Sequence, residues 1–97
     1  RDRSPSRGLG DVYKRQAVSS EIDLRGMESI EAVNAAEMYI DNAVMAKLST
    51  VTIIHGKGTG ALRAAIHQML KRNKAVKSFR LGRYGEGETG VTIVELK

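Results

Sequence analysis

VTIIHGKGTGALR, residues 51–63, decides how this chain folds. Four β-branched residues, three of them apolar, form a strand, and three glycines in the five residues Gly56 to Gly60 then demand either a sharp turn or close approach of another group. The residues beyond read as a helix. The turn therefore lies at a helix N-terminus, where backbone amides and the helix dipole favour an anion, phosphate being the obvious candidate. A plain strand-to-helix turn capped by Thr59 fits the same pattern. The stretch is not a P-loop, because no Gly-Lys-Ser/Thr follows at the required distance, nor a GxGxxG turn, because Ala61 stands where a third spaced glycine belongs.

Working outward, Ser20 to Leu24 alternates as a short strand, with Ile22 and Leu24 on one side and Gly26 as its stop. Ser29 offers an N-cap to a first helix whose apolar positions are Ile30, Val33, Ala36, Ile40, Ala43, Val44 and Leu48. Glu28 and Glu31 suit the dipole at its start. Met38, Tyr39 and Met45 fall partly off that stripe, as core edge or packing surface. Val51 to Ile54 reads as a strand buried on both faces. The second helix starts near Thr59 or Gly60 with Leu62, Ala65, Ile66, Met69 and Leu70 as its inner stripe. Val76 to Leu81 gives a third strand with Phe79 and Leu81 on one face, Arg83 to Gly90 a turn-rich loop, and Val91 to Leu96 a fourth strand.

The order β-α-β-α-β-β predicts an α/β chain in the two-layer α+β arrangement. Its right-handed crossovers put both helices on one face of a four-stranded mixed sheet. The other face is left solvated or covered by a partner. The C-terminal ends of the first two strands share one sheet edge, where ligands gather in open α/β sheets. Asp23 to Gly26 and His55 to Gly58 are therefore expected to face one another.

The chain has 97 residues, room for one domain. It has no cysteine, which excludes disulfides and thiolate metal sites and suits a reducing cytoplasm. No apolar run is long enough to span a membrane, so no membrane partner is expected. Residues 1–16 lack apolar periodicity and read as a disordered, non-native tail, with the domain over 17–97. A start at arginine suggests a fragment of a longer protein.

The net charge of +5 is unevenly spread: residues 17–54 carry −4 and residues 55–84 carry +8 with no acidic side chain. Such a block attracts a polyanion such as DNA or structured RNA. Its members are Lys57, Arg63, Lys71, Arg72, Lys74, Lys77, Arg80 and Arg83. Lys71 and Arg72 also suit a helix C-terminus for structural reasons alone, and the whole block could be a solvated face.

Histidine exchanges protons near neutral pH, which makes His55 the candidate general acid or base. The other use of such a residue is a hydrogen bond to the sheet edge. Gly56, Lys57, Gly58, Thr59 and Gly60 would hold phosphate, with Arg63 adding a forked contact. His67, four residues after Arg63, is expected to be a surface histidine on the polar side of its helix. Asp23 could orient His55, anchor Arg25, or hold Mg²⁺ or Mn²⁺. It is the sole metal candidate and a thin one. Arg25 could bind phosphate or stabilise charge in a phosphoryl transition state. Together Asp23, Arg25, His55 and Lys57 suit phosphodiester hydrolysis. The basic surface formed by the turn, Arg63, Lys71, Arg72, Arg80 and Arg83 would equally suit a non-catalytic docking module. A small-molecule phosphate enzyme is disfavoured, since so small a chain suggests no enclosed apolar pocket.

EIDLRG, IIHGKGTGALR and FRLGRYGEGETGVTIVELK, in that order, resemble the small MutS-related (Smr) domain over roughly residues 19–97, above all the version that ends the bacterial MutS-two proteins. The resemblance implies a fold like the C-terminal domain of translation initiation factor three, and endonuclease activity: nicking of DNA, with RNA cleavage in some stand-alone relatives. It associates Asp23-Leu24-Arg25 and His55 to Gly60 with catalysis and substrate binding. It further implies recombination suppression or recognition of stalled ribosomes, through ribosomal RNA in the latter case, in a homodimeric parent protein. Stand-alone nucleases of the family often carry histidine where this chain has Arg25, a departure that weighs against efficient RNA cleavage.

Overall fold

In a computed structural model of the chain, the described residues are 18–58, 60–85 and 88–97. The expected tail lies outside them. The elements are β1 (Glu21–Asp23), α1 (Ser29–Met45), β2 (Thr50–Ile54), α2 (Ala61–Arg72), β3 (Val76–Leu81) and β4 (Val91–Leu96), with a 3₁₀ turn at Glu88–Gly90. The sheet order is β1-β2-β4-β3. β1 runs parallel to β2, while β4 runs antiparallel to both β2 and β3. The mixed four-stranded sheet with two helices agrees with the order read from the sequence.

Side chains alternate across the sheet with a period of two. Val51, Ile53, Val94 and Leu96 are buried against Ala32, Ala36, Ile40 and Ala43 of α1 and Ile66, Met69 and Leu70 of α2. Thr50, Thr52, Ile93 and Glu95 point the other way and are half-buried or exposed. β2 is thus buried on one face, not two. Its continuous apolar run misled because Ile54 sits on the outer face and is covered only in part.

α1 departs from expectation at its start and along its stripe. Ser29 is already helical, and Glu28 takes the N-cap place without a side-chain hydrogen bond. The inward face is built on alanines, so Ala32 is buried while Ile30 is 78% exposed and Val44 also faces out. Met38 and Met45 are exposed, whereas Tyr39 packs beside the core and donates its hydroxyl to the Ser19 carbonyl. The helix ends in a Schellman arrangement: Leu48 N–H donates to the Ala43 carbonyl, Lys47 N–H to Val44, and Lys47 takes the left-handed position with φ +66°. α2 begins at Ala61 behind Gly60, whose φ of +88° needs glycine. Thr59, the alternative cap, lies outside the described residues.

The phase of α1 is testable by paired truncations. Ile40→Ala is expected to lower unfolding stability by about 2–5 kcal/mol, and Ile30→Ala by less than about 0.5 kcal/mol, in urea denaturation. The sequence stripe alone would make the two equivalent.

Candidate active site

The first loop of the site follows β1. Leu24 N–H donates to the Ile54 carbonyl, and a tight turn returns Met27 N–H to the Leu24 carbonyl with Gly26 at φ +88°. Asp23 holds Arg25 by three bonds: Nε to Oδ1 at 2.9 Å, Nη2 to Oδ2 at 2.7 Å, and the Arg25 backbone N–H to Oδ1 at 3.0 Å. These bonds and the guanidinium charge pull the Asp23 carboxyl down to about 2. Arg25 remains 64% exposed, so its fork is fixed in direction but open to a ligand.

The second loop follows β2. His55 N–H and Gly56 N–H both donate to the Gly90 carbonyl, at 3.1 and 2.9 Å. Gly56 then turns out with φ +84°, and a Cβ there would lie 3.3 Å from Arg25 Cγ, so the two loops touch as expected. Lys57 Nζ lies 3.5 Å from Glu88 Oε1, both side chains substantially exposed. Beyond it, Arg63 folds back over the start of α2, its Nη2 2.9 Å from where a Gly60 Cβ would stand.

His55 continues the alternation of Val51 and Ile53 and turns inward; it is 5% exposed. Its Nδ1 lies 3.0 Å from the Gly56 carbonyl and its Nε2 2.8 Å from Thr92 Oγ1. Asp23 pairs in register with Ile54, which belongs to the outer face, so it does not orient His55. Of the three roles considered for Asp23, anchoring Arg25 is the one its contacts show. Both of its oxygens accept from Arg25, and among the described residues no three His, Asp or Glu side chains gather to hold a metal ion. With both of its oxygens engaged by Arg25, Asp23 is not set up as a ligand for Mg²⁺ or Mn²⁺.

His67 is not the surface histidine expected. Its Nε2 lies 2.8 Å from the same Thr92 hydroxyl, and its ring packs 4.9 Å from Phe79 and 6.1 Å, edge-on, from His55. Burial, followed by the nearby charges of His55, Arg63 and Lys71, pushes its basicity below that of an ordinary histidine. Thr92, His67 and Glu88 are the site residues that sequence reasoning missed. The available signal was Thr92 itself, a hydroxyl at an inward position of β4, which needs partners once buried.

The basic block divides. Gly82 N–H donates to the Val91 carbonyl, so the strand end leading to Arg83 lies at the same sheet edge as His55. Arg80 pairs in register with Ile93 on the outer face and donates to the Leu81 carbonyl. Lys71 and Arg72 occupy the last turn of α2, roughly 17 Å along the helix from the glycine turn. They do not join the site. A depression of about 280 Å³ between Glu37 of α1 and Arg72 of α2 contains none of the other site candidates.

A glycine-rich loop, two exposed cations and a buried histidine meet at one end of the sheet of a small α+β domain. The chain belongs to the Smr domain family, which matches residues 22–97. It is 62% identical over 92 residues to the endonuclease MutS2 of Ruminiclostridium cellulolyticum and 61% identical over 84 residues to that of Clostridium tetani. These alignments cover 93% and 87% of this chain but 12% and 11% of those proteins, so the chain spans about an eighth of their length. Among solved structures, the Smr domain of Thermus thermophilus MutS2 superposes with a TM-score of 0.78 at 47% identity, covering 79% of this chain and 96% of that one. YdaL, a stand-alone small MutS-related protein of Escherichia coli, shares the fold with a TM-score of 0.76 at 21% identity, covering 98% of this chain and 80% of that one. No helix among the described residues is long and apolar enough to cross a membrane.

The Asp23–Arg25 pair has a sharp titration signature. Followed by carboxyl-carbon NMR, Asp23 is expected to titrate near 2 and to return toward the ordinary aspartate value of about 3.9 in Arg25→Ala. Because its folded value is depressed, the stabilisation it gives is present above about pH 4 and is lost as pH falls toward 2.

Proposed function

We propose that this domain binds the phosphodiester backbone of DNA or structured RNA at the sheet edge and cleaves it by hydrolysis. The observation that carries the reading is the convergence of Arg25, held by Asp23, and Lys57 on either side of a glycine turn that has His55 beneath it. Arg25 and Lys57 would hold non-bridging phosphate oxygens. Arg63 and the amides of Gly58 and Gly60 would add to them, and Arg83 would contact the backbone farther along. The Lys57–Glu88 contact is an exposed pair of small worth, so a phosphate can replace Glu88 at little cost. His55 would act as the general acid toward the leaving oxygen, giving up its bond to the Gly56 carbonyl as it does so. Arg25 would stabilise the charge that develops on the phosphoryl oxygens. The names of the similar bacterial proteins support this reading at the level of an endonuclease. Roles in recombination suppression or stalled-ribosome rescue rest on the family resemblance alone.

A second reading is favoured by one specific observation. His55 is 5% exposed with both ring nitrogens engaged inside the protein. That is the arrangement of a structural histidine, and it fits a docking module that uses the same cations without chemistry.

Nicking of supercoiled plasmid and cleavage of a structured RNA, each with binding measured in parallel, separate the two. Under the nuclease reading, His55→Gln is expected to lower cleavage by about 10²–10⁴-fold with little change in binding. Lys57→Ala is expected to weaken binding and to reduce the salt dependence by about one ion equivalent, whereas Glu88→Gln strengthens binding. Binding with no cleavage of either substrate by the unmodified chain would replace the nuclease reading with the docking one.

A further inference from the structure

Three polar side chains form a line through the helix-facing side of the sheet: His55 at 5% exposure, Thr92 fully buried, and His67 half-buried on α2. The Thr92 hydroxyl stands 2.8 Å from Nε2 of each histidine. The other nitrogen of His55 faces the Gly56 carbonyl at 3.0 Å. A carbonyl only accepts, so that bond requires a proton on Nδ1. Neutral His55 then has a bare Nε2, which must accept, and the Thr92 hydroxyl must donate to it. Having spent its single proton there, the Thr92 oxygen can only accept from its second neighbour, so His67 donates from Nε2. The line runs in one direction: His67 to Thr92, Thr92 to His55, His55 to the Gly56 carbonyl.

The reverse direction is available to Thr92 taken alone. A hydroxyl turned toward His67 would accept from Nε2 of His55 and leave Nδ1 bare against the Gly56 carbonyl, two acceptors facing each other. Which ring nitrogen holds a histidine's proton is set by what the other is bonded to. Two partners therefore fix the His55 tautomer, one at each end of the line.

We infer that His67 is a positioning residue for His55: through Thr92 it holds the His55 proton on Nδ1, the nitrogen that meets the glycine-rich turn. Resting on the nuclease reading, this makes Nδ1 the protonated nitrogen through which His55 faces the phosphate; the ring donates from there as an acid once a second proton has reached Nε2 from the Thr92 side, so that it is left neutral. His67 touches no substrate. It acts by leaving the Thr92 hydroxyl one direction in which to donate.

The test is two-bond nitrogen–proton correlation spectra of the histidine-labelled chain at about pH 8, where an ordinary histidine is neutral, with cleavage assayed on the same samples. The unmodified chain should show His55 protonated at Nδ1 and bare at Nε2. His67→Phe, which keeps a ring against Phe79 but cannot donate, should shift His55 toward a mixture of tautomers and lower cleavage about tenfold. His67→Gln, whose amide reaches the Thr92 oxygen as a donor, should recover both. Thr92→Val and Thr92→Ser examine the same line from its centre, the first breaking it and the second preserving it, should His67→Phe fail to fold. A proton found on Nε2 in the unmodified chain overturns the inference. So does an unchanged His55 tautomer in both folded His67→Phe and Thr92→Val, which would leave the Gly56 carbonyl as the sole determinant. The spectra decide this whether or not the chain cleaves anything, so a missing nuclease activity and a missing positioning role give different results.

Discussion

One carbonyl, that of Gly90, holds the two halves of the site in place. The β2–β4 ladder ends at the Ile54–Val91 pair, and Gly90 then receives the amides of both His55 and Gly56. With two donors on one acceptor, the chain cannot continue straight and leaves the sheet at Gly56. Lys57 packs over Gly90, its Cγ 3.4 Å from the position a Cβ would take there. The same anchor therefore sends Lys57 outward over the start of β4 and leaves His55 pointing inward at Thr92, two residues further along that strand.

This geometry separates charge from proton chemistry. The cations Arg25 and Lys57 are exposed, paired with Asp23 and Glu88, where water keeps pair energies small and exchange with a phosphate easy. His55 and Thr92 lie within the protein and His67 at its margin, where each lost hydrogen bond is costly and a buried polar group dictates its neighbours' orientation. Cations farther away have local reasons to be where they are. Lys71 and Arg72 complement the C-terminal end of the α2 dipole, and Arg80 lies along the outer face of the sheet. The count of basic residues in the sequence thus overstates the charge at the turn.

Much of the fold was legible because strand and helix periods differ and the glycines mark their boundaries. β3 and β4 fall on the residues expected from the sequence, and the two loops meet because β1 and β2 run parallel. The departures cluster where the alternation continues past the strand ends. Carried one step beyond Ile53, the period of two places His55 in the core. Carried along β4, it places Thr92 beside it. It equally puts Asp23 on the opposite face, which rules out an Asp23–His55 pair. His67 was harder to find, since its partner lies 25 residues away and nothing local distinguishes its helix position from a solvated one. In α1 the small alanines, rather than the larger Ile30 and Val44, face inward, and α1 packs closely against α2.

The strand order β1-β2-β4-β3 has a temporal consequence. β4, last of the four along the chain, takes an interior place between β2 and β3. A growing chain can pair β1 with β2 and lay α1 over them, but β3 has no neighbour until the residues of β4 have emerged. Thr92 and the Gly90 carbonyl arrive with that same strand, so the loop after β2 gains its anchor in the step that completes the sheet. Partly made chains would carry the cations and the glycines without the arrangement that gives them a common direction. Docking across so many intervening residues is the slow, non-local kind of event that sets folding rates in mixed sheets. Completion of the fold and assembly of the site are one event.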